Sequence, residues 1–360
     1  MIRIKDIAQE AQVSEGTVDR VLHNRGGVSK KTEAKVKKIL ERHNYSINPV
    51  ASALALKNKH TIAVLIPEHN DTDAFWKSPY LGILKAIEDV KSLGIHVQCF
   101  TFNQYQPSSY FESFQVLLES QPTAVIFAPM FLEETKKIVQ QLDTVQIPYI
   151  FLNIDIEGFN NLAYIGQDSY TSGYIAGKLM HMGLAPKSDI LIIQARDYIG
   201  DNNAIAKRIQ GFHDYFKQHH INAGITPLKI ESLNDSNQTK AQLNHILNTM
   251  PALAGIFIPS SRTSAVIDCF QESGYENFKI IGFDNTPQNM TYLKQDAVSF
   301  LISQKPFEQG YEAIRIMTDF LIKGKTPNEK IYLPIDILIK ENVMYNDMNQ
   351  AMYEGTLTNE

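Results

Sequence analysis

The chain has 360 residues, 44% of them hydrophobic and 20% charged, which is material for two or three ordinary globular domains. Two cysteines, Cys99 and Cys269, exclude a disulfide framework, and the absence of any run of 18 apolar residues excludes a transmembrane helix. The first residues, MIRIKDIAQEAQV, are amphipathic and lack an apolar signal core, so a cytoplasmic protein with no membrane partner is expected.

The net charge of -5 is unevenly spread. Residues 1–60 hold 12 Lys and Arg against 6 Asp and Glu, whereas the other 300 residues hold 22 against 33. A basic head on an acidic body points to a polyanion met by the head alone.

In chain order, Ile4, Ile7, Ala8 and Ala11 repeat with helical spacing. Val13 and Ser14 break the pattern. Ser14 is placed to cap a second helix that buries Val18, Val21 and Leu22, and Ser29 to cap a third with Val36, Ile39 and Leu40 inward. Three short helices with a tight turn between the first two make a helix-turn-helix unit. Its second helix needs only a couple of turns to enter a DNA major groove. "NPVASALAL", residues 48–56, has Pro at a first-turn position and alternating alanines, and predicts a short helix.

From Thr61 the texture changes. Apolar runs such as TIAVLIP, IHVQCFTF, AVIFAP, IPYIFLNI, DILIIQA, AGIFIP, KIIGFD and VSFLISQ alternate with amphipathic stretches at residues 80–93, 110–120, 133–142, 169–182, 203–219 and 307–322. This alternation predicts parallel sheets covered on both faces, and the series is long enough for two. The division is expected near residues 153–161. Ligands of such sheets sit beyond the carboxyl ends of the strands. That rule selects residues 67–76, 153–155 and 260–262, with Asp284 and Gln304. Arg208, at the start of a helix, is placed to point into a cleft.

The head resembles the lactose repressor family of transcription regulators. The resemblance rests on Asp6-Ile7-Ala8, Ala11, Val13-Ser14, Thr17-Val18, Arg20-Val21-Leu22, Val28-Ser29, Tyr45 and residues 51–54. It implies an all-α head of residues 1–46, a hinge helix and linker at 47–60, a two-lobed α/β effector domain like a periplasmic binding protein at 61–344, with two doubly wound parallel sheets, and a polar tail at 345–360. It places Glu15 and Gly16 as the main base-reading pair, Arg20 as a guanine or phosphate contact, and Thr17 on the DNA backbone. Ser14, Asp19, His23 and Ser29 complete the expected DNA face, and Leu54 matches a leucine that wedges between base steps. Asp19 stands where serine is usual, Gly16 offers no side chain, and Arg3 replaces a threonine cap.

In the effector domain the resemblance implies that Phe75 and Trp76 stack on a sugar face. Asn153, Asp155, Arg208, Ser260, Asp284 and Gln304 would bond its hydroxyls, because carboxylates and guanidinium groups can each make two bonds at once. Ile156 and Ser260-Ser261 depart from the family pattern. The expected protein is a homodimeric regulator on a near-palindromic double-stranded operator, controlled by a sugar or sugar derivative; a sugar sensor without DNA function is the alternative. No phosphate loop, nucleophile elbow or metal spacing is present, and His213, His219 and His220 do not converge, so no enzyme activity, cofactor or metal is expected.

Overall fold

In the computed structural model the chain divides into two compact units, residues 1–58 and 59–360, and each is described by itself. The structure describes residues 3–22, 26–43, 45, 60–69, 74–195, 203–230, 236–270, 274 and 277–345. The hinge-helix reading, with Leu54, lies outside the described residues, as do His23 and nearly all of the tail.

Among the described residues the first unit has three helices, α1 (Ile4–Ala11), α2 (Glu15–Leu22) and α3 (Lys30–Arg42). Ile7, Ala8, Ala11, Val18, Val21, Val36, Ile39 and Leu40 form their common core, which is the set the helical spacing selects. Gln12 adopts a left-handed conformation (φ 56°) and ends α1, and Val13 N–H reaches back 3.0 Å to the Ala8 carbonyl. That turn lets α2 start at once. Ser14 Oγ accepts from Thr17 N–H at 3.2 Å, and Ser29 Oγ from Thr32 N–H at 3.2 Å, so both serines cap their helices. At α1 the lost threonine cap is partly replaced: the Asp6 carboxylate accepts from Arg3 N–H at 2.9 Å. Glu10 joins α1 to the end of α3 through Arg42 at 2.7 Å and His43 at 2.8 Å.

The second unit holds two six-stranded sheets. The first contains β1 (His60–Pro67), β2 (Ile95–Phe102), β3 (Ala124–Phe127), β4 (Tyr149–Leu152), β5 (Ala163–Gly166) and β11 (Lys330–Tyr332), in the order β11-β5-β4-β3-β1-β2, all parallel. The second contains β6 (Asp189–Ala195), β7 (Ile225–Ile230), β8 (Leu253–Phe257), β9 (Lys279–Phe283), β10 (Phe300–Ser303) and β12 (Asp336–Leu338), in the order β12-β10-β9-β8-β6-β7. Only β12 runs antiparallel there. Central strands such as β3 and β4 are buried at every position, which explains their unbroken apolar runs.

The helices lie between the strands as the alternation predicts: α4 (Lys77–Val90), α5 (Pro107–Glu119), α6 (Leu132–Thr144), α7 (Ser169–Gly183), α8 (Asn203–Gln218), α9 (Ser236–Thr249), α10 (Thr263–Asp268), α11 (Pro287–Lys294) and α12 (Pro306–Lys323). The chain crosses between lobes three times, at residues 167–168, 304–305 and 333–335. The expected division near residues 153–161 is therefore early. The four-residue strand β5 pairs with β4 and still belongs to the first lobe. So does α12, whose Ala313, Ile314 and Met317 pack with Ile62, Val64 and Ile126.

Two helix pairs approach closely at glycines. A Cβ added at Gly310 of α12 would sit 2.0 Å from the Pro79 carbonyl oxygen of α4, and one at Gly173 of α7 would sit 1.9 Å from the Arg208 carbonyl oxygen of α8. The second contact fixes the height at which Arg208 leaves its helix. Gly173→Ala is expected to destabilise the second unit by about 1–3 kcal/mol, since a new methyl meets backbone that cannot turn aside. Urea unfolding checks this; an unchanged midpoint would mean that α7 and α8 part freely.

Candidate functional site

Helix α2 turns Val18 and Val21 inward and leaves Glu15, Gly16 and Arg20 exposed, with Thr17 and Asp19 half-buried. A Cβ at Gly16 would meet nothing nearer than Ser14 Oγ at 3.9 Å, so a neighbouring molecule can approach this backbone closely. The hydroxyls of Ser14 and Ser29 are engaged within the head, with Thr17 Oγ1 at 2.9 Å and Thr32 Oγ1 at 2.8 Å. Both set helix starts, and that orients the surface next to them.

In the second unit a cleft opens between the lobes. Seven of the eight predicted effector residues line it: Phe75, Trp76, Asn153, Arg208, Ser260, Asp284 and Gln304. They arrive from the carboxyl ends of β1, β4, β8, β9 and β10, and from α8, as the placement rule for doubly wound sheets requires. Phe75 and Trp76 stand in a single 3-10 turn (Ala74–Trp76) at 87° to one another, centroids 5.2 Å apart. Such a pair offers one ring edge and one ring face to a ligand.

The polar wall is built around Asp284. This residue is 2% exposed and left-handed (φ 68°), which aims its carboxylate off the end of β9. Gln304 Nε2 donates to both carboxylate oxygens, at 2.8 and 3.0 Å. The other end of the same amide accepts from Asn153 Nδ2 at 3.3 Å, and Asn153 also donates to Gln309 Oε1 at 3.0 Å. Gln309 closes the loop by donating to the Gln304 carbonyl at 2.8 Å. Each amide is thereby fixed in one orientation, with Asn153 reaching across from the first lobe. Arg208 donates from Nη1 to the Pro259 carbonyl at 2.9 Å and lies over the Phe283 ring, 4.0 Å from its centroid. Burial pushes the Asp284 pKa up to about 6, against the lowering effects of the Arg208 charge and the Gln304 hydrogen bonds.

Behind the wall, Asn289 of α11 is fully buried. Its Nδ2 donates to the carbonyls of Ser261, Phe283 and Asp284 at 3.0, 2.9 and 3.1 Å, and its Oδ1 accepts from Ser264 N–H at 2.8 Å. One side chain therefore ties the Ser260 and Asp284 loops together. Nothing in the sequence singles out this residue.

Asp155 is not brought to the cleft lining. Lys330 of β11 holds its carboxylate at 2.9 Å and Lys207 of α8 at 3.4 Å, so it bridges the lobes beside the cleft. The cleft also takes Gln104, Met130, Ile154, Ala204, Ile205, Ser261 and Arg262. Gln104 and Met130 follow β2 and β3, so the carboxyl-end rule, applied there too, would have found them. Arg262 reaches the Tyr105 hydroxyl of the first lobe and spans the cleft.

Two known families match this chain. The description "Bacterial regulatory proteins, lacI family" matches residues 3–48, and "Periplasmic binding protein domain" matches residues 62–326. The chain belongs to the lacI family of bacterial regulatory proteins, with a periplasmic-binding-protein-like second domain. It is 24% identical over 341 residues to catabolite control protein A of Staphylococcus epidermidis, covering 92% of this chain and 96% of that one. A solved LacI-type regulator from Bacteroides fragilis is 29% identical with a TM-score of 0.70, over 80% of this chain and 99% of that one. A periplasmic solute-binding protein from Actinobacillus succinogenes, solved with bound D-allose, has the same fold, with 18% identity and a TM-score of 0.68 over 80% of this chain and 100% of that one.

The Asp284 shift has a pH signature in this member of the lacI family. Its pKa is raised from 3.8 to about 6, so ionisation opposes folding. The stability that comes from the neutral acid is fully present below 3.8 and is lost as pH rises through about 6. A shift of this size is worth on the order of 3 kcal/mol. Thermal or urea unfolding of Asp284→Asn beside the wild type is expected to show the variant gaining relative stability between about pH 4 and pH 6. A difference independent of pH would show that the carboxylate keeps an ordinary pKa.

Proposed function

We propose that this protein is a sequence-specific DNA-binding transcription regulator, acting as a repressor, whose operator affinity is set by a sugar or sugar derivative bound between the lobes of its second unit. The observation that carries the reading is the joining, in one chain, of a lacI-family head to a cleft with an aromatic pair on one side and fixed donors and acceptors on the other. A sugar presents an apolar face and a rim of hydroxyls. Phe75 and Trp76 suit the face. Asp284, Gln304, Asn153 and Arg208 suit hydroxyls, each of which donates one bond and accepts others. D-allose, bound by the Actinobacillus succinogenes relative, has this chemistry.

On the DNA side, Glu15, Gly16 and Arg20 form the reading set. Arg20 suits guanine O6 and N7, and Glu15 suits a cytosine amino group. Asp19, close to phosphates, serves to orient its neighbours. A homodimer would set two heads on half-sites related by its own two-fold axis, so a near-palindrome is the expected operator. The basic balance of residues 1–60 supplies the salt-dependent, sequence-independent part of the binding. Such a regulator works in the cytoplasm. The described residues include no helix long and apolar enough to cross a membrane.

Selection of bound duplexes from a random pool tests this reading, with the full chain, in the presence and absence of D-allose. Enrichment of a palindrome that Arg20→Ala relaxes at one base pair per half-site is expected, with a loss of about 1–3 kcal/mol in affinity. A pool left unenriched under both conditions would leave the head without a reading function.

A further inference from the structure

The three crossovers between lobes are linked through residues 166 and 167, beside one buried hydroxyl. Tyr164, in β5, is 1% exposed, and its hydroxyl shares its single proton between the Gln167 carbonyl at 3.0 Å and the Asn153 carbonyl at 3.2 Å. Asn153 lines the cleft, and Gln167 is the first residue of the first crossover. Gln167 Nε2 in turn donates to the Ser303 carbonyl at 2.9 Å, where the second crossover begins. The Gly166 carbonyl accepts from Leu333 N–H of the third crossover at 2.8 Å. Gly166 also makes room for the ring: a Cβ there would lie 2.2 Å from the Tyr164 hydroxyl oxygen.

The network is tight on one side and incomplete on the other. Asn153 has the left-handed backbone (φ 68°) and spends its side chain on Gln304 and Gln309, so its position is set from three directions. Gln167 is 2% exposed, yet its Oε1 is buried without a hydrogen-bond partner among the described residues. A buried amide that satisfies its donor and not its acceptor gains by any rearrangement that brings a donor to it. The crossover is thus held by Tyr164 while Gln167 retains a reason to move. Burial pushes the Tyr164 pKa up, so the hydroxyl remains a donor throughout the physiological range.

We propose that Tyr164 is the positioning residue that couples occupancy of the cleft to the relative motion of the lobes, by tying the cleft residue Asn153 to the crossovers through Gln167. A ligand that shifts Asn153 then shifts the Gln167 carbonyl with it, and Gln167 passes the displacement to Ser303 and Gln304. Without the hydroxyl Asn153 keeps its bond to Gln304 at the second crossover but loses its tie to the first, so the cleft and the first crossover are no longer held together. The inference rests on reading the cleft as the effector site, and the test uses the ligand-free full chain so that the two can fail independently.

Spin labels at Val116→Cys in the first lobe and Met182→Cys in the second, both exposed sites, report the interlobe distance by pulsed electron resonance. The background carries Cys99→Ala and Cys269→Ala. The test variant is Tyr164→Phe. The control is Tyr149→Phe, which removes the hydroxyl of another buried tyrosine, in the neighbouring strand β4, whose partners are Asp143 and Asn160 rather than the crossovers. Both lose the same atom, so equal melting temperatures separate position from general stability. The expected result is one narrow distance distribution for the parent and for Tyr149→Phe, lost in Tyr164→Phe. An unchanged distribution in Tyr164→Phe overturns the proposal. Should Tyr164→Phe not fold, Gln167→Leu keeps the hydroxyl and cuts the link to Ser303. It must also broaden the distribution, and a parent-like width there overturns the proposal equally.

Discussion

The second unit depends on keeping a carboxylate out of water. Taking Asp284 from solvent into the protein costs several kcal/mol unless other groups take over the role of water. Gln304 supplies two hydrogen bonds and Arg208 a nearby positive charge, and still the pKa stands at about 6. The compensation is therefore partial. A ligand hydroxyl placed against the carboxylate would complete it. The rest of the wall follows from holding Asp284 in place. Asn289 fixes its loop, Gln304 must point its nitrogen that way, Asn153 must then donate to the Gln304 oxygen, and Gly173 must stay small so that α8 presents Arg208 at the right level.

Much of this was legible in the sequence, for identifiable reasons. Ser14 and Ser29 stand directly before apolar helical stripes, and both prove to be caps. The cleft residues follow buried strands, where a polar residue has little other reason to be. What escaped is what depends on distant partners. Asp155 sits beside Asn153 and Ile154, but Lys330, 175 residues away, and Lys207 draw it out of the cleft lining. The four-residue β5 is too short to show a period, so the apolar pattern sets the boundary between lobes too early, and α12 gives no sign that it returns to the first lobe. Asn289 and Tyr164 belong to residue types that are ordinary in such elements. Only their several simultaneous hydrogen bonds distinguish them.

The two units divide the chemistry. The head carries excess positive charge and a short helix with a polar outer face. The body carries excess negative charge, a deep polar cleft and three thin crossovers. Net negative charge on the body would repel DNA and favour contact through the basic head. Regulation in such a chain is a coupling free energy between two separate sites, and it must be reciprocal whatever path carries it. A ligand that lowers operator affinity by some factor must itself be bound more weakly on the operator by the same factor.

That equality gives the most direct measurement. The affinity of the full chain for its selected palindrome would be determined with and without a saturating sugar that titrates into the cleft, and the affinity for the sugar with and without the palindrome. Two ratios that are equal and different from one are expected. If DNA and sugar both bind and each ratio is one, the head and the cleft are two independent binding modules, and the regulatory reading is contradicted.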